Sequence, residues 1–135
     1  WLWGGAPEQI KTSIANGRMG VMPPHGHLGD EKIDQVSTYV ISLSGRDVDA
    51  AKAEAGKEVF MSAGCIGCHG MDGTGNQMLG APNLTDDIWL YGSSPEDIAY
   101  TIINGRNGVM PSFGKTLNED KRRLLSAYVI GLSAE

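Results

Sequence analysis

The octapeptide NGRMGVMP at residues 16–23 returns with one change as NGRNGVMP at residues 104–111, and both copies sit inside a longer repeat. Residues 1–26 align on residues 89–114 at a constant offset. After one inserted residue, 28–44 align on 117–133. About half of the aligned positions are identical, far beyond chance for fragments of this length. Residues 46–88 have no earlier counterpart. The repeat therefore divides the chain into a complete unit at 46–135 and, at 1–45, the C-terminal half of a preceding copy that lacks its own start. The opening Trp1-Leu2-Trp3, with no initiator methionine, fits a piece cut from something longer.

The complete unit reads as all-α. Asp47 or Asp49 can cap a helix through AAKAEAGKEVFMSAG that stops at Gly64. Ser94 followed by Pro95 starts a second helix that ends at Asn104-Gly105. Asn118 starts a last one, in which Leu124, Leu125, Tyr128, Val129 and Leu132 recur at helical spacing. Between the first two lies CIGCHGMDGTGNQMLGAPNLTDD, rich in Gly and Asn and read as loop. No stretch alternates as a strand should. The half copy predicts helices near 7–16 and 30–43, and its Val36, Tyr39, Val40 and Leu43 need a partner, since leaving such side chains in water forgoes roughly 1.5–3 kcal/mol each. They are expected to pack on the complete unit, or on a second chain by exchange of elements, giving a homodimer swapped through residues 1–45.

Long ordered loops in a small chain need a cause. With 19 glycines and only 7% aromatic residues, the loops are expected to close around a prosthetic group rather than around side chains. Cys65 and Cys68, three apart on one helical turn, face the same side and can bond the two vinyl groups of a haem edge, with His69 beneath the ring as an iron ligand. A disulfide, a redox dithiol and half a zinc site are the other readings. The dithiol lacks its βαβ setting, and zinc lacks a second ligand pair. Opposite His69, Met110 offers a thioether in the Gly- and Pro-rich loop, and a His/Met pair raises the potential and closes the iron. Met61, Met71 and Met78 lack that setting and read as packing or surface residues. The carbonyl of Pro82 can orient His69. Arg106, Trp89 and Tyr91 can donate to haem propionates, against the plainer reading of Arg106 as a solvated charge and Trp89 as core.

Other classes fare worse. A net charge of −5 argues against nucleic acid or an anionic membrane as partner. No apolar run reaches the roughly 18 residues that span a bilayer. Gly73-x-Gly75 follows no strand and opens no helix, so it is not a phosphate cradle. His25 and His27 have no further ligands beside them and read as surface residues.

Gly56 and Phe60 before CIGCH, GAPNL after it, a Met-Pro loop and Tyr128 in the last helix resemble the class I cytochrome c family. The strings GNQMLGAPNLTDDIWLYG and TIINGRNGVMPSFG, with the partial upstream copy, look more specifically like the di-haem cytochrome c subunit of cbb3-type cytochrome c oxidases. That resemblance implies the class I cytochrome c fold, with first and last helices crossing at Gly56, Phe60 and Tyr128. It also implies His69 and Met110 as ligands of one covalent haem c, and Met22 as a ligand of a first haem whose CxxCH is missing. The implied role is one-electron transfer from a soluble cytochrome c towards the oxidase catalytic subunits, in the periplasm, with a membrane anchor outside this chain and no catalysis by the chain alone. A free-standing soluble di-haem cytochrome, or a haem enzyme or gas sensor with a labile methionine, are the rivals.

Overall fold

The structure, a computed structural model, describes residues 1–133. In chain order its elements are α1 (Pro7–Asn16), β1 (Arg18–Met22), a short 3-10 turn (Gly26–Leu28), α2 (Asp30–Leu43), α3 (Ala50–Ser62), α4 (Ile66–His69), α5 (Pro95–Asn104), β2 (Arg106–Met110) and α6 (Glu119–Leu132). Helices dominate, as expected of an all-α chain.

Local chemistry sets the helix starts. Asp49 accepts from the Lys52 N–H at 2.9 Å ahead of α3, and Asn118 from the Lys121 N–H at 3.0 Å ahead of α6. Ser94 and Asp97 form a reciprocal capping box around the first turn of α5, whose first residue is Pro95. In the half copy Ala6 replaces the capping serine, and Gln9 Oε1 takes the Ala6 N–H at 3.0 Å instead. Both α1 and α5 then stop at a glycine with left-handed backbone, Gly17 at φ +71° and Gly105 at φ +69°.

The two copies of the Met loop become the two strands, against the expectation of none. They pair antiparallel with Gly20 opposite Gly108, Arg18 opposite Met110 and Met22 opposite Arg106. Their sequences do not alternate because burial here does not follow hydrophobicity: β1 half-buries Arg18, Gly20 and Met22 while exposing Met19 and Val21, and β2 is exposed beyond Arg106; each strand's partner is the equivalent strand of the other copy. The crossing has a consequence at both ends. Beyond β1 the chain runs to the C-terminal end of α5, where the His25 N–H donates to the Ile102 carbonyl at 2.9 Å. Beyond β2 it runs to α1, where the Phe113 and Gly114 N–H groups donate to the Ile14 and Ala15 carbonyls at 3.0 and 2.9 Å.

The core therefore joins α2, α3 and α5. Val36 and Phe60, each 1% exposed, pack with Ile33, Val40, Ile41, Val59, Ile98 and Ile102. The half copy's apolar face is buried on the complete unit, and it occupies the position expected of the last helix. Gly56 faces Gln35 and Tyr39 of α2, and the Tyr39 ring meets Phe60 edge-on at 5.3 Å. The predicted crossing at Tyr128 is thus replaced by one at Tyr39, because the paired strands send α6 away to α1. Tyr128 is 66% exposed.

A methyl at Gly56 would collide with the Gln35 carbonyl, whereas one at Gly131 of α6 meets nothing. Gly56→Ala is expected to cost about 1–3 kcal/mol, while Gly131→Ala should be neutral or gain up to about 1 kcal/mol from helix propensity. Urea unfolding of the two variants measures this, and equal effects would contradict the α2–α3 crossing.

Candidate functional site

The turn from Cys65 to His69 builds the site. The Cys65 carbonyl accepts from the N–H groups of Cys68 at 3.2 Å and His69 at 3.0 Å, which closes one helical turn and sets both sulfurs on one side. Both cysteines are half-buried free thiols. Burial pushes the Cys65 thiol above its usual range, so it is no activated thiolate. No group of three or more His, Cys, Asp or Glu among the described residues is placed to hold a metal ion, which removes support from the zinc reading.

His69 is buried beside Phe60, with ring centres 6.5 Å apart. Its Nδ1 lies 3.1 Å from the Pro82 carbonyl. A carbonyl only accepts, so Nδ1 carries the proton and Nε2 is left with a free lone pair. Burial holds the imidazole below its ordinary range, although the Pro82 carbonyl pulls the other way. The neutral ring is the form a metal ion can bind. Pro82 itself is fixed by the loop around it: the Gly75 N–H donates to the His69 carbonyl at 2.8 Å, Leu84 N–H to Gly73 at 2.7 Å, and Asn76 bridges Ala81. Asn83 turns the chain by accepting from the Thr85 N–H and hydroxyl at 2.9 and 2.8 Å.

Cys65, Cys68 and His69 open onto a cavity of about 980 Å³, at the upper end of the range of small-molecule and cofactor sites. Its wall is mostly apolar. Trp89, Tyr91, Arg106 and Met110 also line it, so the candidates read from sequence are brought to one space. Arg106 is held in place: Nε and Nη2 donate to the Thr101 hydroxyl at 3.1 and 2.7 Å, and the guanidinium lies 4.2 Å over the Tyr91 ring. Trp89 is half-buried against the core, and Tyr91 is exposed on one side.

Two residues read otherwise from the sequence belong to the same wall. Met22, expected to serve a first haem, and His25, expected at the surface, line the cavity with His69, and His25 Nδ1 is buried without a partner. Arg18 repeats the Arg106 arrangement, donating to Ser13 at 2.8 Å and lying 4.8 Å over Trp3. The signal was available in the repeat, where Arg18, Ser13 and Trp3 align on Arg106, Thr101 and Tyr91. A flat apolar ring with an anionic edge, bonded through two thioethers and one imidazole, suits this donor set: two thiols and a neutral imidazole on one turn, an apolar enclosure, an anchored guanidinium and an unpartnered buried ring nitrogen.

Comparison with known proteins agrees with this chemistry. Residues 51–129 match the family described as cytochrome c oxidase, cbb3-type, subunit III. The chain is 42% identical over 144 residues to the cbb3-type cytochrome c oxidase subunit CcoP of Cereibacter sphaeroides, covering 98% of this chain and 49% of that protein. It is 44% identical over 141 residues to the subunit FixP of Azorhizobium caulinodans, covering 96% and 47%. For CcoP of Rubrivivax gelatinosus the identity is 41% over 135 residues, covering 98% and 44%. The chain spans about half the length of these relatives. No described helix is long and apolar enough to cross a membrane.

In the haem-free chain at neutral pH, ¹⁵N NMR of His69 is expected to show the proton on Nδ1 and a bare Nε2. The opposite tautomer would contradict the Pro82 bond.

Proposed function

Because the chain belongs to the cbb3-type cytochrome c oxidase subunit III family, we propose that it is an electron-transfer module holding one covalent haem c. In this reading it relays electrons from a soluble cytochrome c towards the oxidase's catalytic subunits and catalyses nothing alone. The observation that carries the proposal is the single turn on which Cys65, Cys68 and His69 share the wall of one apolar cavity. When bound, the haem supplies reversible one-electron chemistry at its iron.

The chain's own residues do the rest. Cys65 and Cys68 anchor the ring through thioethers, so the cofactor cannot dissociate. His69, oriented by its donated bond to Pro82, offers Nε2 to the iron. Met110 and Met22, the methionines that end the paired loops, both line the cavity, and either would offer a thioether to the iron, which would favour its reduced form. Arg106, tethered by Thr101 and stacked on Tyr91, would donate to the anionic edge of the ring, and Trp89, which lines the same cavity, would shield it from water. The mostly apolar enclosure disfavours the extra charge of the ferric ring, which pushes the potential the same way.

The repeat divides the sequence into 1–45 and 46–135, and the packing joins them: Cys65, Cys68 and His69 lie in 46–135, while α2 of 1–45 completes the core and cavity wall beside them. The apolar face of α2 finds its cover on α3 of the same chain. A periplasmic setting and a membrane anchor elsewhere in the protein follow the family resemblance.

Intact mass before and after chemical haem removal is expected to show one haem per chain, lost when Cys65 and Cys68 are both replaced by Ala. A ring that binds but extracts into acid solvent would rule out the thioethers. Immediate carbon monoxide binding by the reduced, unmodified protein would instead favour an open iron and a haem enzyme or sensor.

A further inference from the structure

The chain's negative charge is not spread evenly along it. Residues 58–105, which include Cys65, Cys68 and His69, carry six carboxylates (Glu58, Asp72, Asp86, Asp87, Glu96 and Asp97) and no Lys or Arg, so this stretch alone is more negative than the net −5 of the whole chain. The fold gathers part of that charge. The Leu84 N–H bonds to the Gly73 carbonyl at 2.7 Å, which ties the turn at Asp72 to the turn at Asp86. Asp72 accepts from the Thr74 N–H at 3.2 Å and Asp86 from the Ile88 N–H at 3.0 Å, and Asp87 beside them is exposed. No three such groups among the described residues converge to hold a metal ion, so the charge is an open array and not a cation site.

The same stretch exposes apolar side chains at the mouth of the cavity. Met78 is 87% exposed, Ile88 72% and Leu90 61%, and all three line the cavity onto which Cys65, Cys68 and His69 open. Side chains that border both water and the cavity are its rim. Exposed apolar groups inside a polar surround mark a contact surface, and a partner seated on this rim stands beside the cofactor site, where the path for an electron is short. The surround sets the sign of that partner. Arg46, donating to the Ser93 carbonyl, stands at the edge of the acidic stretch, and Arg106 is engaged with Thr101 and Tyr91. The exposed apolar residues of α6 lie among Lys121, Arg122 and Arg123 against Glu119 and Asp120, so a cationic partner is not drawn there.

Resting on the electron-transfer reading above, we propose that the rim of Met78, Ile88 and Leu90, flanked by Asp72, Asp86 and Asp87, is the docking surface for a diffusible redox protein that presents an apolar patch ringed by lysines. The carboxylates steer the encounter and orient it, while the apolar rim excludes water from the contact. One electron then passes from the partner's reduced centre to the ferric haem, with no bond formed or broken.

The test mixes the oxidised, haem-loaded chain in a stopped-flow instrument with a reduced, lysine-rich soluble cytochrome c, and separately with an acidic one, over ionic strengths of about 0.01–1 M. The second-order rate with the lysine-rich protein is expected to fall steeply as salt rises and, at low salt, to exceed the rate with the acidic protein. Replacing Asp72 and Asp87 together by Asn, which keeps the turn acceptor at Asp72, should slow the low-salt reaction about three- to tenfold and leave the high-salt rate as it was. Ile88→Ser with Leu90→Ser should slow it at every salt concentration. Asp120→Asn on α6 should change nothing, and all variants should keep the reduction potential of the unmodified chain, which damage to the haem site would not allow. A rate that does not fall with salt, or an Asp72/Asp87 variant as fast as the unmodified chain at low salt, overturns the proposal. Unchanged rates in the Ile88/Leu90 variant overturn it too and give the rim to a fixed contact with another subunit. A chain without covalent haem, or one that small reductants fail to reduce, would instead sink the electron-transfer reading and is seen first.

Discussion

The antiparallel pairing of residues 18–22 with 106–110 decides where everything after it goes. Two short strands are weak on their own, since an isolated ribbon of this length is marginal in water. This ribbon is held at both ends by helix termini. Gly17 and Gly105, both left-handed, turn each chain out of its helix, and the closeness of the opposite backbone at both positions leaves no room for a side chain. The pairing thus holds four chain segments together with two glycines and a handful of main-chain bonds, and it directs the chain after β1 to α5 and α3.

Once α2 lies on α3, the cavity acquires its shape. Val36 and Val40 reach Phe60 from α2, Ile98 and Ile102 come from α5, and the loop from Gly70 to Leu84 returns to brace His69. That loop has little apolar content to order it. Its order comes instead from short side-chain turns at Asp72, Asn76 and Asn83, each accepting from the backbone two residues on. The result is a carbonyl, that of Pro82, held still enough to fix a histidine tautomer.

Much of this was legible in the sequence because it is local. CIGCH carries its chemistry in its spacing, Asp49, Ser94 and Asn118 cap the helices they precede, and the repeat announces two equivalent loops. What was not legible is which loop meets which helix. NGRMGVMP and NGRNGVMP are nearly the same string, so no propensity or periodicity distinguishes their destinations. Tyr39 and Tyr128 pose the same problem: both precede Val-Ile in a C-terminal helix, and either could cover Gly56. The choice is made by chain crossing, a tertiary event. The strands themselves were invisible because their apolar residues Met19, Val21 and Val109 are the exposed ones, so hydrophobicity does not follow the alternation that marks a strand.

The same face read in two settings shows how far the crossing reaches. Val36, Tyr39 and Val40 align on Leu125, Tyr128 and Val129, so α2 and α6 carry one apolar design. On α2 it is covered by α3. On α6, packed by one side on α1, Leu125, Tyr128 and Leu132 are exposed. The difference lies in the supply of partners, since the chain holds two C-terminal helices and a single α3 with a glycine at the crossing point. Which of the two helices takes α3 is decided upstream of both: β1 leads through Met22 and His25 to α5 and then into α2 in one continuous stretch, so placing α6 on α3 instead would require unpairing the ribbon.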